Sequence, residues 1–155
     1  CNISISIKEG DGMTAVATKA RNKAAFAHVE AELYMYHETL KEIERIREDI
    51  LYGKEIDENI GGGRGNLPSA PTERKAVAMV THRRLQQLEQ IADAIKTIYE
   101  ALPEEKKRLI QLKYWTKPQR YTWEGIAEQL HISERQARRW RNEIVYSIMD
   151  LLGWR

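Results

Sequence analysis

The 155-residue sequence holds a single cysteine, Cys1. One cysteine excludes a disulfide framework and any cysteine-rich zinc site, and makes a reducing cytoplasm the expected compartment. Glycine and proline are scarce, at 9 and 4 residues, which argues against a loop-rich or collagen-like fold. No apolar run approaches the ~18 residues of a membrane span, so no membrane contact is expected. No leader shows the charged-then-apolar order of a secretory signal. Of the 4 histidines no two stand four residues apart, and no metal site is expected. No nucleophile meets a base at a catalytic spacing, so the chain reads as a non-enzyme without a cofactor. The length allows one domain, or a small domain with an extension.

What is present is unevenly charged. The overall balance is only +2, but residues 24–60 hold ten acidic against four basic residues. Residues 103–155 hold eleven basic against seven acidic. Within them, Glu134 to Arg141 carries four arginines and one glutamate. That asymmetry points to a nucleic-acid contact confined to the C-terminal third. Solvated helix faces are the plainer alternative.

Residues 1–12 lack a helical period. Lys8-Glu9-Gly10 can be encoded through GGAGG, a bacterial ribosome-binding sequence, with Met13 at an initiating distance. Residues 1–12 are therefore expected to be translated leader, and 1–22 a disordered tail. From Lys23 to Tyr52 the apolar positions Phe26, Val29, Leu33, Tyr36, Leu40, Ile43, Ile46 (or Arg47) and Ile50 step by three and four, which predicts an amphipathic helix. Tyr34, Met35 and Tyr36 widen its face, as if a third element packs there.

Residues 53–71 break the pattern, with four glycines and two prolines between Gly61 and Pro71. Gly61-Gly62-Gly63-Arg64-Gly65 lacks the ending of a phosphate-binding loop and follows no strand, so it reads as a connector. Arg64 stays a candidate contact for DNA or a partner. Thr72 is the expected cap of a second helix, striped by Val77, Val80, Leu85, Leu88, Ile91, Ile95, Ile98 and Leu102. The two helices fit either an antiparallel hairpin within one chain or a coiled coil between two copies.

Leu102-Pro103-Glu104-Glu105 opens a third helix, with both glutamates where the helix dipole favours them. It carries Leu109, Ile110, Leu112, Tyr114 and Trp115 and breaks at Thr116 to Arg120. Thr122 is placed to cap a fourth helix, Trp123 to Leu130. His131 occupies a turn that favours glycine and is a candidate for left-handed backbone. Ser133 caps the fifth helix, and Gln136 lies at the capping-box spacing. Ala127 is small where two helices cross. Trp115, Trp123 and Trp140 fall on apolar faces and read as core rather than as base-stacking groups; Trp154 fits either an exposed or a docked position.

Helix, tight turn and helix then leave an outward face of Glu134, Arg135, Gln136, Arg138, Arg139, Arg141 and Asn142. Arginine pairs bidentately with guanine, and glutamine and asparagine with adenine. Arg135, Gln136, Arg139 and Asn142 are the expected base readers. Arg138, Arg141, Lys117, Arg120, Thr122 and Ser133 are the expected phosphate contacts. The fold class expected is all-α: a long antiparallel helical hairpin (23–101), then a three-helix domain (102–155) with a helix–turn–helix.

The stretch LPEEKKRLIQLKYW…YTWEGIAEQLHISERQARRW resembles region 4 of bacterial sigma factors, where such a helix–turn–helix reads a promoter element. The matching positions are Leu102-Pro103-Glu104, Glu124, Ile126, Ala127, Leu130, Ser133, Ala137 and Arg138. His131 departs from the usual glycine, and Ala137 with Trp140 from the usual residue sizes. From about Phe26 to Gly153 the chain resembles the RinA-type phage transcriptional activators, close to the ArpU-type regulators. The carrying segments are HVEAELYMYHETLKEIERIREDI, NIGGGRGNLPSAPTERKA and ALPEEKKRLIQLKYWTKPQRYTWEGIA.

That resemblance implies an activator of late phage genes acting on double-stranded promoter or operator DNA in the cytoplasm of a Gram-positive bacterial host. Host RNA polymerase is an expected partner, and the acidic hairpin is expected to serve homodimerisation or that polymerase contact. A terminase small subunit-like packaging protein and a polymerase-binding interaction module are the alternatives.

Overall fold

The computed structural model describes the backbone of residues 12–56 and 71–154, and the side chains of 22–52 and 73–154. Residues 1–11, the glycine-rich connector with Arg64, and the Thr72 side chain lie outside the described residues. Among the described residues all regular structure is helical. α1 spans Gly12–Ile56, α2 Pro71–Ala101, α3 Glu104–Ile110, α4 Trp123–Leu130 and α5 Glu134–Leu152. No described helix is long and apolar enough to cross a membrane.

α1 begins at Gly12, upstream of the start expected at Lys23, so residues 12–22 are helix rather than a disordered tail. No proline, and no glycine after Gly12, interrupts it before Gly53. α1 and α2 pack antiparallel within one chain, the hairpin of the two expected arrangements. Ile43, Ile91 and Ile95 are buried in the core. Two ion pairs cross the seam, Arg84 Nη2 to Glu42 Oε1 at 3.1 Å and Arg47 Nη2 to Glu89 Oε1 at 2.6 Å.

Three positions of the expected stripes differ. Thr39 is buried in α1 and Leu40 stays at the surface, because a three-residue step from Tyr36 fits the seam as well as a four-residue step. In α2, Val77 and Val80 are 66% and 67% exposed, so the expected stripe leaves the core near the hairpin tip.

α1 extends past the C-terminal end of α2, and the excess is covered by the rest of the chain. Pro103 is the extended N-cap of α3 rather than its first helical residue, with Glu104 and Glu105 in the first turn. α3 runs into a wider π-turn, Gln111–Trp115, which the Thr116 hydroxyl closes by donating to the Gln111 carbonyl at 2.8 Å. The turn presents Tyr114 and Trp115 to α1 together. Trp115 Nε1 donates to the Leu33 carbonyl at 3.1 Å, and its ring stacks on Tyr36 at 5.2 Å. Tyr34 meets Tyr114 edge-on at 4.7 Å. Tyr34 and Tyr36 thus receive the third element that the widened face implied, while Met35 stays exposed.

The expected boundary near residue 101 does not divide the core. Val29 and Leu33 of α1, Ile95 of α2, Leu109 of α3, Ile126 of α4 and Ile144 and Ile148 of α5 belong to one buried cluster. Burying each such side chain stabilises the fold by about 1.5–3 kcal/mol. Leu33→Ala, at the centre of that cluster, should lower unfolding free energy by about 2–5 kcal/mol. Leu51→Ala, at an exposed site near the tip, should stay within about 0.5 kcal/mol. Urea denaturation of the two variants checks the contrast.

Candidate nucleic-acid interface

The last two helices form a tight helix–turn–helix because each local signal agrees. Thr122 Oγ1 accepts from the Gly125 N–H at 3.2 Å and caps α4. His131 closes α4 in the left-handed region, at φ 55° and ψ 39°. Histidine is among the side chains that tolerate this conformation better than branched ones. The Ile132 N–H reaches the Ala127 carbonyl at 3.0 Å, satisfying the end of α4. Ser133 Oγ accepts from the Gln136 N–H at 3.1 Å and starts α5. Ala127 and Ala137 are buried, and their small size lets α4 and α5 cross closely.

α5 then divides into two faces. Ala137, Ile144, Val145 and Ile148 turn inward. Glu134, Arg135, Arg138, Arg139 and Asn142 line one open groove on the outside. Positions 135, 138, 139 and 142 follow the helical repeat, so their side chains share one face. Arg135 and Asn142 have no hydrogen-bond or ionic partner among the described residues. Arg138 donates to the Glu134 carboxylate and lies over the Trp123 ring at 5.3 Å. Arg139 Nε donates to Glu143 Oε1 at 3.1 Å, and Lys106 Nζ holds the other carboxylate oxygen at 2.8 Å. The Lys106 hydrogen bond, aided by Arg139, keeps the Glu143 carboxyl below the usual carboxylate range. Gln136 is half-buried and does not line that groove.

Arg141 corrects the sequence reading. It was expected on the outward face as a phosphate contact, yet its side chain is 19% exposed and turned toward α1. Position 141 lies four residues after Ala137 and three before Ile144, so it belongs to the inward face. Its Nη1 donates to Glu30 Oε1 at 2.7 Å. Tyr114 Oη donates to the same oxygen at 2.7 Å. The guanidinium lies 5.1 Å from the Phe26 ring centre and 5.2 Å from that of Trp123. Glu30, the acid of this cluster, carried no signal in the sequence beyond its place on α1.

The remaining expected contacts lie ahead of the helix–turn–helix. Lys117 and Arg120 are exposed on the segment before α4, where the Lys117–Pro118 peptide is cis. Lys117 Nζ stands 3.6 Å from Glu38 Oε1 of α1. Thr122 and Ser133 each use a lone pair for capping and keep a hydroxyl proton to donate. Trp115, Trp123 and Trp140 all pack against the core, in keeping with the core reading. Trp154 is docked, its ring stacked on His28 at 4.4 Å. Among the described residues no three His, Cys, Asp or Glu side chains are grouped to hold a metal ion.

The class defined by this architecture is an all-helical protein in which a long hairpin carries a helix–turn–helix. The chain belongs to the family described as a protein of unknown function, DUF722, whose model matches residues 31–150. The match spans hairpin and helix–turn–helix together. No curated protein and no solved structure matches the chain.

The Tyr114–Glu30–Arg141 cluster has a pH consequence. Burial, and then the hydrogen bond to Glu30, raise the Tyr114 pKa above its ordinary 10.0. The folded state therefore holds the phenolic proton more tightly than the unfolded chain. Its contribution is complete below pH 10.0 and lost as pH rises further toward the folded pKa. Unfolding free energy should fall above that pH, and Tyr114→Phe should flatten part of the fall; urea titrations from neutral to strongly alkaline pH measure both.

Proposed function

We propose that the protein is a sequence-specific double-stranded DNA-binding transcriptional activator that reads the major groove with α5. The observation that carries this reading is the exposed α5 face, where Arg135, Arg138, Arg139 and Asn142 line one groove just after the turn. The N-terminal half of a recognition helix is the part that reaches base edges.

Arg135 and Arg139 suit the O6 and N7 atoms of guanine, Asn142 suits adenine, and Glu134 can accept from cytosine N4. Gln136, half-buried outside the groove lining, is a further amide suited to adenine. Arg138, Lys117, Arg120 and the hydroxyls of Thr122 and Ser133 suit phosphates. The ion pairs of Arg138 and Arg139 are exposed and weak, so trading them for DNA costs little. Arg141 drops out of the contact set and becomes the group that orients α5.

Activation of phage late genes rests on the resemblance of this chain to RinA-type activators. In that role the acidic α1 faces away from phosphate and offers a surface to host RNA polymerase. Repulsion between its carboxylates and DNA supports that division of labour.

Selection of bound duplexes from a randomised pool, using the full chain, tests the reading. Enrichment of one motif by the parent and its loss in an Arg135→Ala/Arg139→Ala variant are expected. No enrichment by a folded parent overturns the proposal in favour of a partner-binding module. Arg139→Ala alone should cost ~1–3 kcal/mol at one base position. Lys117→Ala should weaken all sequences alike and lower the salt slope by about 1. Equal effects of both substitutions on matched and scrambled duplexes would rule out this assignment of roles.

A further inference from the structure

α1 changes the sign of its charge where α5 packs on it. From Glu30 to Ile56 it carries eight carboxylates against four cations. From Gly12 to Val29 it carries Lys19, Arg21 and Lys23 and no carboxylate. The change falls at Glu30, whose Oε1 already receives Arg141 and Tyr114. The first turns of α1 are therefore a basic segment with no acid of their own to neutralise it.

That segment adjoins the outward face of α5. Arg135, Arg139, Asn142 and Tyr146 step by four, three and four residues, so they share one stripe, and all four are exposed. The Tyr146 ring at its end meets the Phe26 ring of α1 edge-on at 5.4 Å. On α1 the positions 19, 23, 26 and 30 step in the same way and share one stripe. Phe26 and Glu30 turn that stripe toward Arg141 of α5. The position after Phe26, going toward the start of the helix, is Lys23, about 4.5 Å further along the axis. Lys23 is exposed and has no hydrogen-bond or ionic partner among the described residues. The two stripes thus join at the Phe26–Tyr146 contact.

We infer that the first turns of α1 are a second DNA contact, in which Lys19 and Lys23 hold the phosphate backbone of the duplex that α5 reads. A recognition helix places its N-terminal residues at the base edges. From Arg135 to Tyr146 the stripe rises about 16 Å, against a major groove ~12 Å wide. A helix seated by its first turns leaves Tyr146, and with it Phe26, at the phosphate edge of the groove. Cations without neighbouring carboxylates suit that edge, and the lysine ammonium binds phosphate as a point charge. Arg21 stands about 200° around the helix from Lys19 and falls off the stripe. The acidic remainder of α1 runs the other way from Glu30, so like charge does not oppose the contact. An anionic lipid surface would take cations beside an open apolar stripe, whereas Phe26 is half-buried against α5.

This inference rests on the DNA-binding proposal, and the two fail differently. Fluorescence anisotropy of the full chain, on the selected duplex and on a scrambled one across a KCl series, reads both. Lys19→Ala/Lys23→Ala should weaken binding to both duplexes by a similar factor of about ten and lower the salt slope by about 2. The motif enriched from a random pool should stay that of the parent, because phosphate contacts carry no sequence information. Lys19→Arg/Lys23→Arg should bind like the parent, which separates lost charge from lost folding. Arg21→Ala should cost much less than the double substitution, and an equal loss overturns the assignment to the stripe. A double-alanine variant with the parent's affinity and slope, beside an Arg135→Ala/Arg139→Ala variant that loses the motif, overturns this inference and leaves the α5 reading standing. A folded parent that binds neither duplex overturns both. Binding of the parent to phosphatidylserine vesicles, lost in a double-alanine variant whose duplex binding is unchanged, assigns the stripe to a lipid surface instead.

Discussion

The orientation of the helix–turn–helix on the long hairpin depends on Glu30. One carboxylate oxygen receives both the Arg141 guanidinium of α5 and the Tyr114 hydroxyl of the π-turn. Three parts of the chain that are far apart in sequence meet at that atom. Bringing a carboxylate and a guanidinium out of water is costly, and the Coulomb gain does little more than offset it. The apolar cluster around them supplies the net stability. What the ion pair adds is geometry: a misdocked α5 leaves both charges half-buried and unpaired. The rings of Phe26 and Trp123 flank the guanidinium and narrow its alternatives further.

Holding Arg141 inward has a consequence on the other side of α5. A helix that turns Ala137, Arg141, Ile144 and Ile148 toward the core must turn Arg135, Arg138, Arg139 and Asn142 away from it. The outward residues engage local carboxylates or none, and such exposed pairs are worth ~0–1 kcal/mol. The inward arginine is spent on structure, and the outward ones stay available. One helix thus separates an inward, orienting cation from its outward cations by register alone.

Much of this was legible in the sequence because local rules and tertiary packing agree. Thr122, His131 and Ser133 each act as their residue type predicts, since caps and a left-handed turn are decided within four residues. The stripes of α1 and α2 gave the hairpin, although they could not decide whether it closes within one chain. Three features were not legible for physical reasons. The inward turn of Arg141 needed its spacing from Ala137 and Ile144 weighed above its charge. Glu30 has meaning only once α5 lies on α1. The continuous core across residue 101 depends on how far α1 outruns α2, which follows from packing register and not from periodicity.

The long helices also connect the two ends of the molecule. Between Met13 and Tyr52, α1 has no glycine or proline, so nothing in its sequence favours a kink. α2 is joined to α3 through only Leu102 and Pro103, and Pro103 is fixed by its ring at φ −60°. Glu30 and Leu33, which hold α5 and Trp115, lie on the same helix as Arg47, whose ion pair with Glu89 ties α1 to α2. Seventeen residues separate Glu30 from Arg47, a rise of about 25 Å along the axis. The Glu30 cluster and the Arg47 pair are therefore held on one uninterrupted helix, so the π-turn and α5 dock on the same rod that α2 packs against.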